Sequence, residues 1–236
     1  MRQILVTGES HIGPIRRGVG LLPEASRGRF VFWPLGGGGA LRRPCHIYDK
    51  GSASLTTTSP RWENRVFSRE TIGSLGAGTM VFLSMPLNTS RILRDYAWYK
   101  FAPSDLAETE TPLSQGMVES LIDLDVSHAL NLTKDLSRVW PDLVVVEAPR
   151  FFENASYLSK HRFKICQYID AAYRRRVKAT LTKWGIAVLK QPSITVTGAG
   201  TTDLAYDNEN PLDQHHANAA YGKLVLQQML SHADAS

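Results

Sequence analysis

The sequence predicts a three-layer α/β/α sandwich built on a doubly wound, mostly parallel sheet of about five strands. Three observations predict it. Short runs that are apolar at every position recur along the chain, stretches of helical periodicity separate them, and most of the runs end in glycine, proline or small polar residues. A run without polar alternation buries both its faces, as parallel strands covered by helices do.

The first strand is Ile4-Leu5-Val6, stopping at Thr7-Gly8. The second is Phe30 to Trp33, closed by Pro34 and the glycine run Gly36 to Gly39. Lys50 to Arg61 is rich in Ser and Thr and is expected as a surface loop. Met80 to Leu83 forms the third strand and gives way to Ser84 through Asn88. Met117 to Trp140 then places Val118, Leu121, Ile122, Ala129, Leu132 and Leu136 on one helical stripe. Leu143 to Val146 makes the fourth strand, opened by Pro141-Asp142 and closed by Glu147-Ala148-Pro149.

Ser156 to Trp184 reads as one long helix with Ile165, Ile169, Ala172, Val177 and Leu181 inward. Its Arg174 to Arg176 cluster is expected on a solvated face near Asp170. Gly185 stops that helix, and Ile186 to Leu189 forms the fifth strand. Thr197 to Asn210 is expected as loop, and Asn218 to Leu230 as a closing amphipathic helix. Nothing in the pattern marks a linker, so residues 1–236 are expected to form one domain.

Charged residues are 21% and apolar residues 43% of the chain, close to the globular average, which excludes a disordered or fibrous protein. Cys45 and Cys166 form no CxxC pair, against a disulfide scaffold or a zinc finger. No apolar run approaches the roughly 20 residues that span a bilayer. Met1-Arg2-Gln3 passes straight into Ile4, leaving no room for a signal peptide's apolar core, so a cytoplasmic location is expected. The net charge of +5 is modest, and no aromatic residues interleave with the basic ones as a nucleic-acid stacking surface requires. No nucleic-acid or membrane partner is expected.

In an open parallel sheet, ligands bind beyond the carboxyl ends of the strands. There the first strand delivers Gly8-Glu9-Ser10-His11 and the second delivers four glycines. The third strand delivers Asn88, the fourth Arg150, and the loop after the fifth ends in Asp213-Gln214-His215-His216. A serine, a base, an acid to orient the base, and backbone and side-chain amides are the parts of acyl transfer to a serine. An Asp-His-His cluster can also hold a metal. Its members are close neighbours in sequence without a third distant ligand, so neither a metal nor an organic cofactor is expected.

Gly8-Glu9-Ser10 resembles the first block of the SGNH (GDSL-type) hydrolases. Asp213-x-x-His216, followed by Asn218 and a terminal helix, is similar to that family's last block. Leu87-Asn88-Thr89 is similar to its asparagine block and the run behind the second strand to its glycine block. The blocks fall in the family's order along the whole chain. The resemblance implies a flavodoxin-like SGNH hydrolase fold, with Ser10 as nucleophile, His216 as general base and Asp213 orienting it. It implies an oxyanion hole from the amides of Ser10 and Gly38 (Gly37 and Gly39 being alternatives) and the side chain of Asn88. Three positions depart from the pattern: Glu9 stands for the usual aspartate, and Pro86 and Thr89 flank the asparagine in place of glycine and aspartate.

The expected activity is that of a serine esterase removing or transferring a small acyl group, on a carbohydrate or other small-molecule ester. Arg42, Arg91 and Arg150 would favour an anionic substrate if they face the site. A silent binding module that keeps the rim without turnover is the alternative. A short-chain dehydrogenase is a weaker one, because His11 and Pro14 occupy places where its phosphate turn needs glycine. No acidic residue ends the second strand to bind a ribose, and Tyr96-x-x-x-Lys100 arrives after only three strands. An α/β-hydrolase elbow fails at Ile12, where a second glycine is required.

Overall fold

A computed structural model describes residues 2–39, 43–58 and 65–235. Its elements in chain order are β1 (Ile4–Gly8), α1 (Ile12–Gly18), α2 (Glu24–Arg27), β2 (Phe30–Pro34), β3 (His46–Asp49), β4 (Ser54–Thr57), β5 (Val66–Phe67), α3 (Arg69–Gly73) and β6 (Met80–Ser84). They continue with α4 (Ser90–Asp95), β7 (Phe101–Pro103), β8 (Thr111–Leu113), α5 (Gln115–Val139), β9 (Val144–Val146), α6 (Phe163–Lys183), β10 (Ala187–Leu189) and α7 (Ala219–Ala235).

The five strands expected from the apolar runs form one parallel sheet in the order β10-β9-β6-β1-β2. β1 lies at its centre and is in register with both neighbours, so Gly8 ends level with Pro34 and Ser84. Alternate strand residues serve opposite layers. Leu5, Val81, Leu83 and Val145 pack with α5 and α6, whereas Ile4, Val6, Phe82 and Val144 pack with residues of α1 and α7. The result is a three-layer α/β/α architecture, as its sequence pattern predicts. Among the described residues no helix is long and apolar enough to cross a membrane.

Three expectations need correction. The stretch from Lys50 holds β4, which pairs antiparallel with β3 and β5 and alternates buried Leu55 and Thr57 with less buried neighbours. Threonine is β-branched and suits a pleated surface, so its abundance there does not mark a loop. Residues 59–61 of that stretch lie outside the described part. The helix expected over Ser156 to Trp184 is broken: a 3₁₀ turn spans Ser156–Ser159, and α6 starts only at Phe163. Arg162 between them is extended, and its guanidinium donates to the Leu106 carbonyl at 2.7 Å. Lastly, Arg174 is not on a solvated face. It is 2% exposed, with Nε donating to Asp170 at 3.0 Å and Nη1 and Nη2 donating to the carbonyls of Ala148 and Pro149.

α1 and α7 cross at two glycines. A methyl group on Gly222 would collide with the Pro14 carbonyl, and one on Gly18 with the backbone of Lys223. The two backbones therefore touch with no side chain between them. That contact holds the start of α1, just after Ser10, beside the start of α7, just after His216.

Candidate active site

β1 ends at Gly8 with φ of +140°, a conformation that side chains resist, and a Cβ there would lie 2.7 Å from the Ser84 carbonyl oxygen. The chain turns sharply, and the Ile12 and Gly13 amides donate to the carbonyls of Glu9 and Ser10 to begin α1. No side chain caps that helix, so the Ser10 hydroxyl is left for another partner. The partner is His216, whose Nε2 lies 2.8 Å from Ser10 Oγ across 206 residues of chain.

His216 Nδ1 lies 2.8 and 2.9 Å from the two oxygens of Asp213, and the His216 backbone amide donates to Oδ1 as well. A carboxylate only accepts, so Nδ1 carries the proton and Nε2 presents a lone pair to the serine hydroxyl. Asp213 also accepts from Asn208 Nδ2 at 3.2 Å. Burial raises the pKa of Asp213, but the bond from His216 and the nearby His216 and His215 outweigh it, and the carboxyl stays below its ordinary value. His215 is pushed down to about 4 by burial and by His216, against the pull of Asp213. Asp213 is therefore ionised and His215 neutral at neutral pH.

Asn88 lies at the end of β6 and uses both ends of its amide. Oδ1 accepts from the Ser90 amide at 3.0 Å and supports the first turn of α4, while Nδ2 donates to Glu9 Oε1 at 2.6 Å. The Glu9 carboxylate also abuts Gly38, where an added Cβ would collide with Oε2. One buried side chain thus ties the residue before Ser10 to both the asparagine and the glycine loop. Burial raises the Glu9 pKa, and the Asn88 bond and Arg91 pull it back. In the sequence Glu9 reads only as a longer stand-in for aspartate; this bridging role needs tertiary contact to be seen.

The three arginines behave differently from expectation. Arg91 is buried and holds Asp125 through Nε and Nη2 at 2.9 and 2.7 Å, while Nη1 donates to the Gly38 carbonyl at 3.0 Å. It anchors the glycine loop to α5 and is not offered to a substrate. Arg150 Nη1 donates to the buried Asp170 at 2.8 Å, and Asp170 also accepts from Thr89 Oγ1 at 2.6 Å. Both arginines are therefore paired with carboxylates of the protein itself, Arg91 buried on Asp125 and Arg150 partly exposed and bonded to Asp170 through Nη1 alone. Arg42 lies outside the described residues.

His11, which the sequence placed at the end of the first strand without a role there, packs beside His216. It is 2% exposed, its ring centroid lies 4.7 Å from that of His216, and the Asn88 side chain lies close enough to pull its pKa upward. Burial, and then His216 and His215, drive its pKa well below the ordinary value. Asp213, His215 and His216 could together hold a metal ion, since one ligand atom from each lies within 4.8 Å of the others. The same Asp213 and His216 atoms make the hydrogen bonds just described.

No family model matches the chain, and no curated protein matches its sequence. Solved structures do. The extracellular lipase from Streptomyces rimosus superposes with a TM-score of 0.52 at 13% identity, over 98% of this chain and 99% of the lipase. A GDSL-like lipase from Bacteroides thetaiotaomicron gives 0.49 at 12% identity, over 99% and 88% of the two chains. An M. smegmatis aryl esterase gives 0.44 at 14%, over 100% and 99%. The chain has the SGNH/GDSL hydrolase-type fold.

Proposed function

We propose that this chain is a serine ester hydrolase. The observation that carries the reading is the linear arrangement Ser10 Oγ, His216 imidazole, Asp213 carboxylate, joined by contacts of 2.8 Å on each side of the ring. A serine hydroxyl is a weak nucleophile until a base takes its proton, and the imidazole serves only if its other nitrogen is held protonated.

In this reading Ser10 Oγ attacks the ester carbonyl carbon and gives its proton to His216 Nε2. The carbonyl oxygen becomes an oxyanion facing the amides of Ser10 and Gly38 and the Asn88 hydrogen not given to Glu9. Asp213 stabilises the imidazolium. The tetrahedral intermediate then collapses, the bond to the alcohol oxygen breaks, and the alcohol leaves with the proton from His216. Water, deprotonated by the same imidazole, attacks the acyl-serine and releases the acid. Every step uses side chains and amides of the chain, and each oxyanion donor lost typically lowers the rate on the order of 10²–10³-fold.

The test is hydrolysis of p-nitrophenyl acetate by the wild type, Ser10→Ala and His216→Ala, with circular dichroism to check folding. Loss of about 10³-fold or more in kcat is expected in both variants. Fluorophosphonate should label the wild type at Ser10 and leave Ser10→Ala unmarked. Wild-type turnover equal to that of either variant, without labelling, would make the chain a binding module that keeps the rim alone.

A further inference from the structure

The relay from Asp213 to Ser10 uses one histidine of an adjacent pair. Asp213 Oδ1 is shared by both: it lies 2.8 Å from His216 Nδ1 and 3.3 Å from His215 Nδ1. The other carboxylate oxygen also accepts from Asn208 Nδ2, so Oδ1 is the oxygen the two rings have in common. The centroids of those rings are 4.0 Å apart. Among the described residues the His215 imidazole makes no hydrogen bond, and its Nδ1 approaches Asp213 without one.

A carboxylate oxygen and two imidazole nitrogens are three of the four donors that zinc takes in an open tetrahedral site, with water as the fourth. With bonds of about 2.0–2.1 Å, neighbouring donors in such a site stand about 3.3 Å apart. The Asp213–His215 pair has that spacing already, and the Asp213–His216 pair reaches it by parting about 0.5 Å. All three side chains are half-buried, so an ion can reach them from solvent and keep a water of its own. The loop that carries them is held from both sides. Gln214, between two of the donors, accepts from the Ser156 amide at 2.6 Å, and the Asp213 amide donates to the Asn210 carbonyl. Donors gathered in advance lose little freedom when the ion arrives.

We propose that Asp213, His215 and His216 bind a zinc ion reversibly, and that the bound ion switches the hydrolase off. The inference rests on the serine-hydrolase reading, and the ion is an inhibitor of that site rather than a resident cofactor. Inhibition follows from which nitrogen holds the proton. Without the ion, His216 carries it on Nδ1 against Asp213 and offers the Nε2 lone pair to Ser10. Zinc takes the Nδ1 lone pair, so the neutral ring carries its single proton on Nε2, exchanged through water. Nε2 then donates to Ser10 Oγ and cannot accept its proton. Asp213 turns to the ion at the same time and no longer stabilises an imidazolium. Magnesium and calcium prefer shells of oxygen and have no match in this donor set.

The experiment follows p-nitrophenyl acetate hydrolysis during titration with zinc chloride, and with magnesium chloride as control. It compares the wild type and His215→Ala, each relative to its own metal-free rate. Zinc should inhibit the wild type, EDTA should restore it, and magnesium should have no effect. In His215→Ala the zinc concentration for half inhibition should rise on the order of tenfold or more. Zinc binding is measured separately, by competition with a chromophoric chelator, in Ser10→Ala with and without His215→Ala. The first should bind one ion per chain, and the second should bind it more weakly by a similar factor. Circular dichroism checks folding, and His215→Gln takes the place of His215→Ala if the smaller side chain unfolds the loop. Zinc inhibition and zinc affinity that ignore the His215 substitution would overturn the inference and leave an adventitious ion only. Zinc that binds and leaves the wild-type rate unchanged would overturn it as well. If the wild type turns over no ester, the serine-hydrolase reading fails and the chelator competition alone decides the metal site: binding that depends on His215 upholds it, and binding that does not removes it.

Discussion

Glu9 is the residue whose role changes most between sequence and structure. In the linear pattern it is a deviation by one methylene; in the fold its carboxylate accepts from Asn88 and abuts Gly38, on either side of the Ser10 turn. Glu9→Ala should free the Asn88 amide and lower kcat/KM by about tenfold, equivalent to about 1.4 kcal/mol. Glu9→Gln keeps an oxygen acceptor for Asn88 and should recover most of that loss. Esterase rates of the two variants decide it, and a Glu9→Ala enzyme at the wild-type rate would remove Glu9 from any positioning role. Ser10, Asn88, Asp213 and His216 were legible beforehand because each stands at a strand end or at a short fixed spacing. Glu9, His11 and the pairing of Arg91 were not, because their partners Asn88, His216 and Asp125 lie on other elements and no local pattern announces them.

At the scale of elements, the contact between α1 and α7 brings the nucleophile's helix to the base's helix. Gly18 and Gly222 allow the backbones to meet, and a side chain at either position must part them. Gly222→Val should destabilise the fold by about 1–3 kcal/mol in urea denaturation, the usual range for overpacking. It should also lower turnover more than Glu9→Ala does, because a shift of about 1 Å between base and nucleophile can cost 10²-fold. Full activity in Gly222→Val would mean that the loop from Asp207 to Ala217 positions His216 unaided. The five sheet strands and the helices α5 and α7 were readable from periodicity, which reports burial on both faces or along one stripe. The break before α6 was not: no glycine or proline marks it, and the extended Arg162 donates to the distant Leu106 carbonyl. β4 was missed for another reason: a four-residue strand of Ser, Leu and Thr resembles loop composition until its partners β3 and β5 are known.

For the whole molecule, His11 couples stability to pH. Its folded-state pKa is depressed well below 6.5 by burial, so in the window between that depressed value and 6.5 the unfolded chain binds more protons than the folded one. Stability should therefore decrease as pH falls below about 6.5. Glu9, with its raised pKa, acts in the opposite sense: its folded form holds the extra proton, and stability falls as pH rises through its window. His11→Leu leaves Glu9 in place, so comparing the two proteins isolates the histidine. Urea midpoints at pH 7.5 and pH 5 should drop more in the wild type than in His11→Leu. Equal drops in both would place the acid sensitivity elsewhere.

By itself the sequence determined the layered α/β architecture, the strand that carries each candidate group and the edge of the sheet at which those groups gather. These follow from periodicity and from strand ends, which are local properties of the chain. Tertiary structure alone decided which charges are spent inside the protein, Arg91 on Asp125 and Arg174 on Asp170. An arginine in a sequence reads as a charge available to solvent or substrate. Whether it is available depends on a carboxylate brought beside it by folding, because a buried charge is tolerated only when paired.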